Sequence, residues 1–323
     1  MQLAKQLAIR LNLFIDLPNQ RSSHSKPIPR CGGVVVALVF IVSMLMFYGW
    51  NHLYILPYLL GGLLIFMVGI MDDLVNLKGK QKILGMVASA LLPVLFGLKL
   101  NYLGIIGNNS YILYPLTVIW IYGLINAFNF MDGTDGLIGG SSVIGAFFII
   151  AISVLTGNLF VAGVAMLLLA ACLGFLSFNF SPASIFLGDA GSMFLGYNFA
   201  VLSIMLTNGS DNSVPIYVFL FIFAPIIYDA MVTFIRRGLQ GKNVIEAHRE
   251  HLYQRLIILG MSHRDVSLIY YVLALLLGLL GLLFLASGLE GRAMLSVLAL
   301  AIMGSFSMLV KKLELSAKGK SNG

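Results

Sequence analysis

Apolar residues run through this chain in long unbroken stretches, and polar residues gather in short blocks between them. A helix needs roughly 20 apolar residues to cross a ~30 Å hydrocarbon core at 1.5 Å per residue. Windows of this kind fall at 33–50, 53–71, 83–100, 111–130, 137–156, 159–178, 193–207, 214–235, 267–287 and 293–310. The pattern predicts an all-α, polytopic membrane protein with about ten spans, of which 193–207 is the weakest because it is short. Ahead of the first span, Leu3, Leu7, Leu11, Phe14 and Ile15 recur at helical spacing. Lys5 and Arg10 interrupt what a signal peptide would keep apolar, so 1–32 reads as an amphipathic segment on the inner membrane surface. No internal repeat or linker divides the chain, and 1–323 is expected to be one membrane-embedded domain.

Composition agrees with this picture. The chain is 59% hydrophobic and 10% charged, with a mean hydropathy of +0.95; soluble domains carry about 25% charged residues. Alternating the sides of ten spans puts eighteen of the twenty basic residues on one face, leaving only Lys99 and Arg292 on the other. The positive-inside rule makes the basic face cytoplasmic and the location a bacterial cytoplasmic (inner) membrane. Basic loops beside an anionic leaflet also account for the net charge of +7, so no nucleic-acid partner is expected. Cys31 and Cys172 point to neither a disulfide nor a thiolate metal site.

The chemistry concentrates in the loops of that face: 21–33, 71–82, 129–137, 179–192 and 236–265. Asp72, Asp73, Asp132, Asp135 and Asp189 stand within a few residues of span ends, where carboxylates are costly without a partner or a purpose. Oxygen ligands without clustered thiols or imidazoles suit a hard cation such as Mg²⁺, which takes one or two carboxylates and completes its shell with water and substrate phosphates. Gly133, Gly136, Gly139 and Gly140, and Gly188 and Gly191 around Asp189, would let backbone approach a ligand. In "HREHLYQRL" the spacing places His248, His251 and Arg255 on one helical face that could grip phosphate, making 236–266 a nucleotide-binding loop. "RSSHSKPIPR" offers Arg21, His24, Lys26 and Arg30 to the same phosphates. Asp229, inside a span, reads as an acid that orients a basic group. A transporter of a small anion or cation is the alternative, but its ionisable residues would lie near mid-bilayer rather than at one end.

Four stretches together resemble the polyprenyl-phosphate N-acetylhexosamine-1-phosphate transferases: "DDLVN" at 72–76, "NAFNFMDGTDGL" at 126–137, "FLGDAGS" at 186–192 and "HREHLYQR" at 248–255. The resemblance spans about Arg21 to Arg255. It implies Mg²⁺-dependent transfer of an N-acetylhexosamine 1-phosphate from a UDP-sugar to undecaprenyl phosphate, with Mn²⁺ as a substitute ion. It further implies that Asp189 and Asp132 hold the metal, that Asp72 is the base acting on the lipid phosphate, and that Asp73 and Asp135 belong to the catalytic set. Asn126, Asn129, His248, Arg249, His251, His24 and Lys26 would contact substrate. The expected partners are the UDP-N-acetyl sugar, undecaprenyl phosphate and membrane lipid, with a second copy of the chain an open alternative. Tyr253 and Gln254 stand where many relatives have further histidines, a form associated with O-antigen and capsule initiation rather than peptidoglycan. Relatives also have a full span ahead of "PNQRSSH", where this chain has about eighteen residues, two of them basic.

Overall fold

The structure, a computed structural model, describes residues 1–16, 27–48, 55–101, 109–208, 214–243, 246 and 248–321. Its helices are α1 (Gln2–Leu11), α2 (Gly32–Tyr48), α3 (Ile55–Val75), α4 (Gly79–Leu95), α5 (Ser110–Met131), α6 (Leu137–Leu155), α7 (Leu159–Asn179), α8 (Gly188–Thr207), α9 (Tyr217–Ile222), α10 (Ala224–Leu239), α11 (Leu252–Ile258), α12 (His263–Ala286) and α13 (Leu289–Ser321). A two-stranded antiparallel ribbon pairs β1 (Ile15–Asp16) with β2 (Ile28–Pro29). Among the described residues, seven helices are long and apolar enough to cross a membrane: α3, α5, α6, α7, α8, α12 and α13; α2 is a shorter apolar helix. The chain is a multi-pass α-helical membrane protein.

Several predicted boundaries move, each for a local reason. Asn12 takes left-handed backbone at φ 51° and ends α1, so the helix stops short of Phe14 and Ile15. Asparagine tolerates that region because its short side chain can bond locally. Leu3, Leu7 and Leu11 still lie exposed along α1, as a segment resting on lipid requires. The single span predicted over 214–235 is two helices, α9 and α10, with a break at Phe223. Pro225 stands in the first turn of α10 and has no N–H to give to the preceding turn, which ends one ladder and starts another.

The largest change concerns 193–207. The helix begins five residues earlier, at Gly188, and every residue of α8 except Asp189 is buried. It is the central post of the bundle, touching α2, α3, α5, α6 and α7. A span that never meets lipid does not need the hydropathy of its neighbours, and α8 has the lowest of the seven at 1.4.

Close approach holds this post in place. A Cβ built on Gly33 of α2 would lie 2.2 Å from the backbone N and Cα of Gly191, and one on Gly191 would lie 2.5 Å from Gly33 Cα. Small residues let transmembrane backbones pack this closely. Gly33→Ala is therefore expected to cost about 1–3 kcal/mol by overpacking. A lowered thermal unfolding midpoint of the detergent-solubilised protein would record it.

Candidate active site

Four helix ends converge at one end of the bundle: the C-terminal ends of α3 and α5 and the N-terminal ends of α4 and α8. Lys82, in the first turn of α4, places Nζ 2.6 Å from Asp72 Oδ2 on α3 and 3.0 Å from Asp189 Oδ2 on α8. Asp72 Oδ1 accepts from Leu77 N–H at 2.7 Å. Asn129 Nδ2, in the last turn of α5, donates to Asp189 Oδ1 at 2.5 Å and to Ser192 Oγ at 3.1 Å. One lysine and one asparagine thus fix the Asp189 carboxylate from two sides.

Asp73 is engaged differently. Its two oxygens accept from Asp189 N–H and Ala190 N–H, both at 2.9 Å. A side chain from α3 therefore caps the N-terminus of α8, satisfying donors that a helix end leaves open and meeting the positive end of its dipole. This cap explains why "FLGDAGS" is helical from Gly188 onward rather than a loop. The segment from β2 through Arg30 to the start of α2 is tied to the same place. Phe186 N–H donates to Pro29 O at 2.8 Å, and Gly32 and Gly33 N–H donate to Phe186 O and Leu187 O at 3.0 and 2.8 Å. Arg30 pairs with Asp16 at 2.9 Å and adds positive potential at Asp73, Asp132 and Asp189.

Asp132 terminates α5 and completes the cluster. Its carboxyl accepts no hydrogen bond among the described residues. Burial first, then the negative charges of Asp189 and Asp73, push it well above the usual carboxylate range, against Arg30 and Lys82. Four carboxylates thus share two cations, one of which is already paired with Asp16.

Asp135, three residues on, faces elsewhere. Its Oδ2 accepts from Ala183 N–H at 3.0 Å and its Oδ1 lies 3.4 Å from His263 Nδ1. Burial opposes ionisation, but His263 and the Ala183 N–H hold Asp135 below the ordinary carboxylate value. The loop around it is fastened by Asn179 Oδ1 on Gly136 N–H at 2.9 Å, Ser267 Oγ on Asp135 O at 2.7 Å, and the Tyr271 hydroxyl on Gly136 O. Asp135 thus anchors the loop that carries Asp132. The glycines serve the same packing: a Cβ on Gly133 would meet the Tyr253 hydroxyl at 2.3 Å, and one on Gly188 the Asp73 carboxylate at 2.7 Å. At both positions the close approach is between the protein's own segments.

The histidine stretch is not the single helical face that its spacing predicts. His251 is extended backbone, φ −61°, ψ 152°, and α11 begins after it. Leu252 and Tyr253 N–H, the first two of α11, are taken by the buried carboxylate of Asp229, which fixes the start of the helix there. Arg255 points away to Glu314 of α13, with Nε 2.5 Å from Oε1. His248 and His251 nevertheless meet, their ring centroids 4.9 Å apart. Burial, then His251 and Arg237, lower His248 to about 4, so it is neutral near pH 7 and bonds as an imidazole rather than a cation. The segment docks on the Asp132 loop: the Tyr253 hydroxyl donates to Phe130 O at 3.1 Å, and the Phe130 and His251 rings lie 5.8 Å apart. Arg249 is exposed beside them.

Asn126 lies a turn before Asn129, half-buried, with no described hydrogen bond to the cluster. His24 and Lys26 fall outside the described residues. Lys82, Ser192, Asn179 and His263 carry no signal in the sequence that singles them out. Lys82 is one of three lysines in "LKGKQK", and only the turn into α4 selects it.

The sequence matches known proteins along most of its length. It is 33% identical over 276 residues to a probable undecaprenyl-phosphate N-acetylglucosaminyl 1-phosphate transferase of Bacillus subtilis, covering 84% of this chain and 77% of that one. Residues 55–207 match the family described as glycosyl transferase family 4. The chain belongs to glycosyl transferase family 4. Other family 4 relatives include an undecaprenyl-phosphate alpha-N-acetylglucosaminyl 1-phosphate transferase of Thermotoga maritima, 31% identical with 83% and 81% covered. A decaprenyl-phosphate N-acetylglucosaminephosphotransferase of Mycobacterium tuberculosis is 30% identical, with 83% and 74% covered. The matched segment of this family 4 chain opens with α3 and closes with α8, so it contains the whole carboxylate junction.

Proposed function

We propose that this chain transfers an N-acetylhexosamine 1-phosphate from a UDP-sugar to undecaprenyl phosphate at the inner face of the cytoplasmic membrane. The product is the first lipid-linked intermediate of a cell-envelope polysaccharide such as O-antigen or capsule. A phosphate oxygen of the lipid attacks the β-phosphorus of the donor, a new P–O–P bond forms, and UMP leaves with the electron pair of the broken bond. The observation that carries this reading is the junction of Asp72, Lys82, Asn129, Asp132 and Asp189 across four helix ends. The names of the relatives, which specify a polyprenyl phosphate and an N-acetylglucosaminyl 1-phosphate or N-acetylglucosamine phosphate, support it.

Mg²⁺, or Mn²⁺ in its place, fits this donor set. The cluster is oxygen-rich and short of positive charge, Asp189 is partly open at 31% exposure, and Asp132 has no hydrogen-bond partner among the described residues. Water and substrate phosphates would complete the shell of such an ion. Asp189 and Asp132 would hold it; when bound, the ion neutralises charge on the diphosphate as it is attacked. Lys82 offers a cation next to Asp72, the residue assigned to the lipid phosphate, and Leu77 N–H keeps Asp72 in one orientation. Arg249 and His251 are assigned to the nucleotide end.

Membranes containing this chain, supplied with undecaprenyl phosphate and a panel of labelled UDP-N-acetylhexosamines, are expected to release UMP. EDTA should stop the release and excess Mg²⁺ restore it. Turnover that ignores EDTA would remove the metal assignment, and silence with every donor would overturn the reading.

A further inference from the structure

We propose that Asp229 is a positioning residue for the nucleotide-sugar site: it locks His251 as the Nδ1–H tautomer and leaves Nε2 as the nitrogen offered to the donor. This rests on the phosphosugar transferase reading above. Asp229 is 0% exposed. Its Oδ1 accepts from Leu252 N–H at 2.8 Å and the Thr233 hydroxyl at 3.2 Å, and its Oδ2 accepts from Tyr253 N–H at 3.1 Å and the Tyr270 hydroxyl at 2.5 Å. Each oxygen thus accepts from one backbone N–H and one hydroxyl. A buried carboxylate of this kind is tolerated because its oxygens are satisfied.

His251 Nδ1 lies 3.2 Å from Oδ1 of this acceptor-only group. The hydrogen of that contact must therefore sit on Nδ1, and the bond made by one ring nitrogen decides which proton state the other presents. The ring has little freedom to turn. It is 4% exposed, with the rings of Phe130, His248 and Tyr253 centred 4.9 to 5.9 Å away. The same carboxylate sets the start of α11, whose Tyr253 reaches Phe130 O at the end of α5. Asp229 thus fixes both the proton on His251 and the ring's distance from the helix end that bears Asp132.

The test uses the purified full chain with ¹⁵N-labelled histidine. His251→Gln assigns the His251 signals by difference. Wild type is expected to show His251 with the proton on Nδ1, and Asp229→Asn to show a mixed or reversed pattern. In the same variant, kcat/KM for the UDP-sugar should fall roughly 10- to 100-fold, the usual loss when an outer partner of a functional histidine is removed, with KM for undecaprenyl phosphate unchanged. Tyr270→Phe leaves the carboxylate facing His251. It should lower the thermal midpoint yet keep both the tautomer and the donor kinetics, which separates positioning from stability. An Nε2–H tautomer in wild type overturns the proposal, whether or not Asp229→Asn folds, as does a kinetic loss shared equally by both substrates. Absence of turnover by wild type with every donor would instead count against the transferase reading, and the tautomer would still be read.

Discussion

Asp189→Ala is expected to remove turnover almost entirely, by about 10³-fold or more in kcat/KM, which corresponds to about 4 kcal/mol of lost transition-state stabilisation. Asp189 is the point on which Lys82 and Asn129 both close, and its carboxylate is partly open. Its removal should not weaken the fold in proportion. Four carboxylates press on two cations at this junction, and deleting one relieves repulsion that burial has already turned against Asp132. The thermal midpoint of Asp189→Ala should therefore stay level or rise while UMP release disappears. Such a pairing is the usual mark of a site kept under electrostatic stress for its function. A variant that loses activity and stability together would assign Asp189 to architecture.

The second large effect separates two adjacent residues that sequence treats alike. Asp72→Asn should lower kcat by roughly 10²- to 10³-fold, the range for a group that handles a proton or positions the nucleophile. Its thermal midpoint should hardly move, because asparagine can still accept from Leu77 N–H. Asp73→Ala should instead cost about 1–2 kcal/mol of stability, since it strips the cap from two N–H groups of α8. Activity would fall as well, because Asp189 is the first of those two residues, but the fall should track the lost order of α8. Thermal unfolding and initial rates measured on both variants decide the matter: equal midpoints would end the distinction.

Most spans were legible because hydrocarbon demands continuous apolar length, and seven of the ten windows fall on described helices long and apolar enough to cross. What periodicity does not carry is who surrounds whom. The segment 193–207 looks weak because it is compared with lipid, whereas its real solvent is α2, α3, α5, α6 and α7. The carboxylates of Asp72, Asp132 and Asp189 announce themselves by standing at helix ends, where charge needs a reason. Asp73 and Asp135 carry the same signal and do different work, one capping α8 and the other fastening a loop to Ala183 and His263. Those partners lie 48 to 128 residues away in sequence, and no local pattern names them. The helical spacing of His248, His251 and Arg255 misleads for the same reason, because the helix start is set by Asp229 from another span.

The placement of α8 has a bearing on biosynthesis. Apart from Asp189 the post is enclosed, and the helices that surround it all precede it in the chain. Its modest apolarity is then no handicap, because earlier segments can receive it directly. By Thr207 every contributor to the carboxylate junction has been synthesised, whereas Asp229, His251 and the α13 support of α11 are still to come. The carboxylate junction and the segment around His251 are thus completed in sequence, the second after the first.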